Sequence, residues 1–145
     1  FVLFDGEEEP AGCVEFEQCG LRGSKADAAR HASTTHRFVL LDYIAEKHGL
    51  LFPREGTSSE ELWAMLRTAA ADVGTGALFP DAVGGGVIDD HSPFLDRGVR
   101  AIDIIDFEYP HADTLQDTVD KVSERSLDAV GETVYRLITR LRRER

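Results

Sequence analysis

The chain has 145 residues, 42% of them hydrophobic, with 16 Lys and Arg against 27 Asp and Glu for a formal net charge of −11. That size supports one domain with its own core, residues 1–145, and the acid surplus excludes a nucleic-acid or anionic-membrane partner, because only the short tail Arg140 to Arg145 could neutralise phosphates. No apolar run is long enough to span a bilayer and no signal peptide is present.

Phe1-Val2-Leu3-Phe4 is an apolar run too short for a helix and reads as a buried strand. Because the chain opens inside it, the sequence reads like the later part of a larger protein. The run leads into Asp5-Gly6-Glu7-Glu8, which is either a solvated turn or a site at a strand's carboxyl end, where open α/β sheets bind ligands. Cys13 and Cys19 follow in a loop and are open to a local disulfide or to free thiols.

Ser24 is placed to cap a short alanine-rich helix over Lys25–Arg30, and His31 and His36 flank its exit as loop histidines. Phe38–Ile44 reads as a second buried strand, broken once by Asp42. A carboxylate in such a strand is expensive unless it is paired, hydrogen-bonded or bound to a metal, so Asp42 is either a ligand or a structural acceptor near the strand end. His48 reads as exposed. Ser58 and Glu61 stand at capping-box spacing, Leu62, Met65, Leu66, Ala69 and Val73 fall on one helical face, and Gly74 ends that helix.

The Gly84-Gly85-Gly86 loop lacks the lysine and hydroxyl residue of a phosphate-binding loop. Asp89-Asp90-His91 offers metal-ligand side chains in sequence, but neighbours on an extended segment point to opposite faces, so it is either a hydrogen-bonded turn or a partial ligand set. Gly98–Asp106 reads as a third strand with acids of its own. The last helix starts near Ser126, with Leu127, Val130, Val134, Leu137, Ile138 and Leu141 on one face. Its cationic tail suits a helix C-terminus. Strands alternating with helices give an α/β sandwich with a mixed sheet.

Five motifs stand in order: Phe4-Asp5-Gly6-Glu7-Glu8, Leu21-Arg22-Gly23-Ser24, Leu40-Leu41-Asp42, Asp89–Leu95 with Gly98-Val99, and Asp113-Thr114-Leu115-Gln116-Asp117-Thr118. Together they resemble the M28 zinc peptidase and glutaminyl cyclase superfamily over nearly the whole chain, corresponding to the later part of that catalytic domain. The stretch from Glu9 to Cys19 looks more like the cyclase branch and its bacterial relatives. The resemblance implies a three-layer α/β sandwich with a mixed, mostly parallel central sheet flanked by helices, the N-terminal part missing.

It also implies roles. Glu7 matches the general base that activates a zinc-bound water, or the proton shuttle of the cyclases. Glu8 matches a zinc ligand, and Asp42 the aspartate on a second metal or a nearby acid. Asp90 and His91 look like the acidic hydrogen-bonding segment beside the substrate. The family's His-Thr-x-x-Asp frame, often preceded by Trp, reads Ala112-Asp113-Thr114-Leu115-Gln116-Asp117 here, so Asp113 stands where a zinc-ligating His is usual. Aspartate can ligate zinc with a shorter reach and a different metal preference; His111 could substitute only through a rearranged loop. The family's earlier His and bridging Asp belong upstream of Phe1.

The implied function is a zinc-dependent aminopeptidase acting on peptide or protein N-termini. The alternatives are a glutaminyl-peptide cyclotransferase and a non-catalytic or truncated relative. A secreted or cell-envelope location is what the resemblance suggests.

Overall fold

The computed structural model describes residues 1–143; the end of the predicted cationic tail, Glu144 and Arg145, lies outside the described residues. The order is α1 (Phe16–Cys19), α2 (Arg22–His31), β1 (Arg37–Asp42), α3 (Glu60–Val73), α4 (Ser92–Leu95), β2 (Arg100–Ile105) and α5 (Glu124–Arg143). β1 and β2 pair in parallel, from Arg37 opposite Arg100 to Asp42 opposite Ile105, and the parallel pairing requires a crossover, which contains α3.

Alternation along the strands divides their side chains between two helical layers. Ile102 and Ile104, with Val39 and Leu41, pack with Leu62, Trp63 and Leu66 of α3 and Val130, Val134 and Leu137 of α5. Phe38 and Ala101 point the other way, onto Ala28 of α2 and Phe94 of α4, with the Phe38 and Phe94 rings stacked 4.2 Å apart. Helices thus cover both faces of a parallel sheet, and Leu40, Asp42 and Asp103 share the α2/α4 face by parity.

Several sequence expectations change in detail. Phe1–Phe4 is not a strand: it pairs with neither β1 nor β2, Phe1 and Leu3 are fully exposed, and only Phe4 turns inward, onto Phe38 and Phe94. Apolar content supplies a strand's buried face but not the partner's ladder of hydrogen bonds. The sheet among the described residues is two-stranded and parallel. Ser24 is not a cap but lies buried inside α2, whose N-cap is Leu21 in the left-handed region. Ser59, not Ser58, caps α3, accepting from the Leu62 N–H at 3.4 Å, because Ser58 is buried and engaged elsewhere. Gly74 ends α3 as expected, at φ 83 with its N–H on the Ala70 and Ala71 carbonyls. In α5, Leu127 of the predicted stripe is 43% exposed. Asp72 of α3 ties the helix pair together by accepting from Arg136 Nε at 2.8 Å and Arg140 Nε at 3.0 Å.

Candidate active site

The first turn of α2 holds the Glu7 segment in place. The Leu21 N–H donates to the Glu7 carbonyl at 2.8 Å and the Arg22 N–H to the Gly6 carbonyl at 2.9 Å. The Arg22 guanidinium donates to the Glu8 and Cys19 carbonyls, each at 2.9 Å. Only glycine fits at position 23, since a Cβ there would lie 2.4 Å from the Asp5 carbonyl oxygen. This close approach accounts for the glycine of the Leu-Arg-Gly-Ser motif. Cys13 and Cys19 form a disulfide across the loop that carries Phe16.

An open cleft of about 1100 Å³ lies above the carboxyl ends of β1 and β2. Glu7, Glu8, Asp42, Asp90 and Asp113, the five acids singled out from the sequence, all line it, and Asp89 joins them. Phe16, Ile88 and Leu115 supply apolar wall, and among the described residues no lysine or arginine lines the cleft. Asp42 is the last residue of β1 and Asp89-Asp90 precedes α4, so two layers of the fold deliver the acids to one place. Tyr43 (φ 46) and Asp113 (φ 54) line the cleft in the left-handed region that disfavours side chains, and they are joined by a hydrogen bond from the Tyr43 hydroxyl to Asp113 Oδ1 at 3.0 Å. His111 does not line the cleft; its ring meets Tyr109 edge-on. His31, His36 and His48 are exposed, as expected.

So many carboxyls under partial burial cannot all stay ionised. Burial, then the neighbouring Glu8, Asp89, Asp90 and Asp42, pushes the Glu7 carboxyl up to about 7. Burial and Asp89 raise Asp42 to about 6 against an opposing backbone hydrogen bond at Tyr43. Burial also raises Asp89 and Asp90. Of that pair, Asp89 has the stronger influence on Asp42.

Three buried acids, Asp103, Asp106 and Glu55, were not singled out in the sequence. Asp103, in the middle of β2, is fully buried with neither side-chain oxygen hydrogen-bonded. Burial, then the charges of Asp89, Asp42, Glu55 and Asp90, pushes it up to about 9. A lone acid between Ile102 and Ile104 is the same signal that marked Asp42. Glu55, also fully buried, gave no such signal, because Arg54-Glu55-Gly56-Thr57 has the composition of a surface turn.

Glu8, Asp42 and Asp113 are chemically capable zinc donors. However, no three His, Cys, Asp or Glu side chains converge closely enough to hold a metal ion among the described residues. These residues therefore do not make a complete zinc site. The cleft can concentrate a cation such as a peptide's α-ammonium group, and at Glu7 it can take up and release a proton near neutral pH.

The family model for peptidase family M28 matches residues 1–138. An Acidobacteriales bacterium glutaminyl cyclase is 31% identical with a TM-score of 0.85, the match covering 98% of this chain and 52% of that one. A leucine aminopeptidase precursor from Bacteroides thetaiotaomicron is 26% identical with a TM-score of 0.83, covering 93% and 50%. A Zn-dependent exopeptidase from Parabacteroides distasonis is 26% identical with a TM-score of 0.79, covering 93% and 52%. The chain thus spans about half the length of the solved structures it matches.

Proposed function

The chain belongs to peptidase family M28, and from that membership we propose that it supplies the acid-bearing side of an enzyme acting on peptide or protein N-termini, as an aminopeptidase that hydrolyses the N-terminal bond. The observation that carries this reading is the placement of Glu7 with Glu8, Asp42, Asp89, Asp90 and Asp113 on one open cleft, where burial and acid neighbours lift its carboxyl to about 7. Such a group accepts a proton from water as the water oxygen attacks the peptide carbonyl carbon. It then returns the proton to the departing nitrogen as the C–N bond breaks. The surrounding carboxylates hold the substrate's α-ammonium group.

Zinc is part of the proposal through the family and the Zn-dependent exopeptidase relative; when bound it would polarise the peptide carbonyl. Glu8, Asp42 and Asp113 would each offer it one carboxylate, a set not completed within the described residues. Asp90 and Asp89 would sit beside the substrate. A secreted or cell-envelope location belongs to the same proposal and is supported by the Cys13–Cys19 disulfide, since such bonds persist in oxidising compartments.

Glutaminyl cyclisation is the second reading, favoured by the matched structures named as glutaminyl cyclases. There Glu7 would take a proton from the α-amino nitrogen as it attacks the side-chain amide carbon, and return it to the leaving ammonia. One experiment addresses both readings: the purified full-length protein is given a Leu-initiated and a Gln-initiated peptide, and the products are weighed by mass spectrometry. Free leucine supports the aminopeptidase, loss of ammonia without chain shortening supports the cyclase, and neither product leaves a non-catalytic relative. Glu7→Gln should lower whichever rate is found by about 10²- to 10⁴-fold while the circular dichroism spectrum is retained. Undiminished turnover in that variant removes Glu7 from the chemistry.

A further inference from the structure

Glu55 lies outside the cleft lining, in the turn before α3, yet it is among the most thoroughly engaged side chains in the molecule. Its Oε1 accepts the Thr57 N–H at 2.9 Å and, from a distant part of the chain, the Val87 N–H at 3.2 Å. Its Oε2 accepts the Thr57 hydroxyl at 2.9 Å and the Ser58 hydroxyl at 3.0 Å, and lies 3.3 Å from Nε2 of the fully buried His91. Backbone bonds run beside it, from the Gly56 N–H to the Gly85 carbonyl at 2.9 Å and from the Gly84 N–H to the Arg54 carbonyl at 2.8 Å. The carboxylate therefore joins the turn before α3 to Val87–His91, the segment that presents Asp89 and Asp90 to the cleft.

The hydrogen bonds also fix a tautomer. The Thr57 hydroxyl has a single hydrogen and donates it to Glu55, so at its 3.0 Å contact with His91 Nε2 it acts as acceptor. His91 then carries its proton on Nε2 and turns Nδ1 toward Asp103 Oδ2, 3.8 Å away. Ser58 completes the link by donating to Glu55 and accepting the Asp103 N–H at 2.9 Å. Burial opposes charge on Glu55, but hydrogen bonds from His91, Thr57 and Ser58 hold it at about 2, so it stays ionised. Gln at this position would keep one acceptor and lose the other, which the Thr57 and Ser58 hydroxyls and the His91 ring use.

We propose that Glu55 is a positioning residue for the acidic cleft, its carboxylate clamping the Val87 amide and the His91 ring so that the Asp89-Asp90 segment is held against Glu7 and Asp103. The functional half of this inference rests on the cleft being the catalytic site; the structural half does not.

The test uses the full-length protein with Glu55→Gln and, as a milder variant, Thr57→Val at an exposed position. The ring ¹⁵N shifts of His91 report the tautomer without any substrate, and turnover of the Leu- or Gln-initiated peptide reports kcat and KM. In the wild type the Nε2–H form should dominate. Glu55→Gln should abolish that preference and lower kcat by about 10- to 100-fold, the range typical of groups that orient a site from behind, with KM within about twofold. Thr57→Val should do the same more weakly. An unchanged His91 tautomer in both variants, or kcat retained within twofold in both, overturns the proposal. If Glu55→Gln does not fold, Thr57→Val decides by the same criteria. Should the wild type turn over neither peptide, the enzyme reading fails by itself, and the ring shifts still decide whether Glu55 positions His91.

Discussion

The two faces of one pair of strands have been put to opposite uses. Toward α3 and α5, β1 and β2 present Val39, Leu41, Ile102 and Ile104 to a closed apolar core. Toward α2 and α4 the same strands present Phe38 and Ala101 at one end, then Asp103 and Asp42 as they approach the cleft. The first face gains stability by removing hydrocarbon from water. The second gives some of it up, since Asp103 is buried without a hydrogen bond to either oxygen and a buried polar group without a partner costs free energy. A sheet can carry a destabilising acid at its centre when its other face is packed well enough to hold the strand.

The largest effect should come from weakening the apolar face. Leu66→Ala removes a fully buried side chain of α3 and should cost about 2–5 kcal/mol in urea unfolding. A loss below about 1 kcal/mol would mean that the α3/α5 core does not support the sheet as described.

Next comes the pH dependence built into the acid face. With Asp103 raised from 3.8 to about 9, the folded state binds more protons than the unfolded state between those values, so stability should fall as pH rises from about 4 and level off above about 9. Asp103→Asn cannot ionise, and its urea midpoint should fall less steeply over that interval; parallel curves for the two proteins would show that Asp103 ionises normally. Glu55 works in the opposite sense, since its stabilisation is present above about 4.5 and is lost as pH falls through about 2.

A smaller change is expected at the rim. Replacing Cys13 and Cys19 by serine opens the disulfide-closed loop, for which chain entropy predicts about 2 kcal/mol. Faster amide exchange should be confined to the loop from Pro10 to Cys19. Faster exchange in α5 would show that the rim and the core are not separable. Least of all should come from Asp72→Asn, which removes partners of Arg136 and Arg140 at the surface. Its effect on the thermal midpoint should shrink further with added salt.

The sequence made parts of this contrast visible and hid others for physical reasons. The helical stripes of α3 and α5 and the strand around Phe38 were legible because burial leaves a periodic trace. The acids of the cleft were legible through motifs whose order resembles a family. The Phe1–Phe4 run shows the limit of the first kind of reading, since the same apolar residues serve a paired strand or an exposed extended segment and only the neighbour decides. Ser58 and Ser59 show a similar limit: either could cap α3, and the choice fell to Ser59 because Ser58 was required by Glu55 and Asp103. Glu55 was illegible because its five donors come from Thr57, Ser58, Val87 and His91, two of them brought near only by the fold.

The parallel register of β1 and β2 has a kinetic consequence. Arg37 cannot meet Arg100 until all of α3, the glycine loop and α4 have been made and brought round, so the ladder must await a long-range closure. Asp42 and Asp103 come together only when that ladder forms. A chain emerging from the ribosome therefore carries its acids apart, and the cleft comes into being at a late, cooperative step. Amide exchange in β1 should then follow global unfolding rather than local fraying.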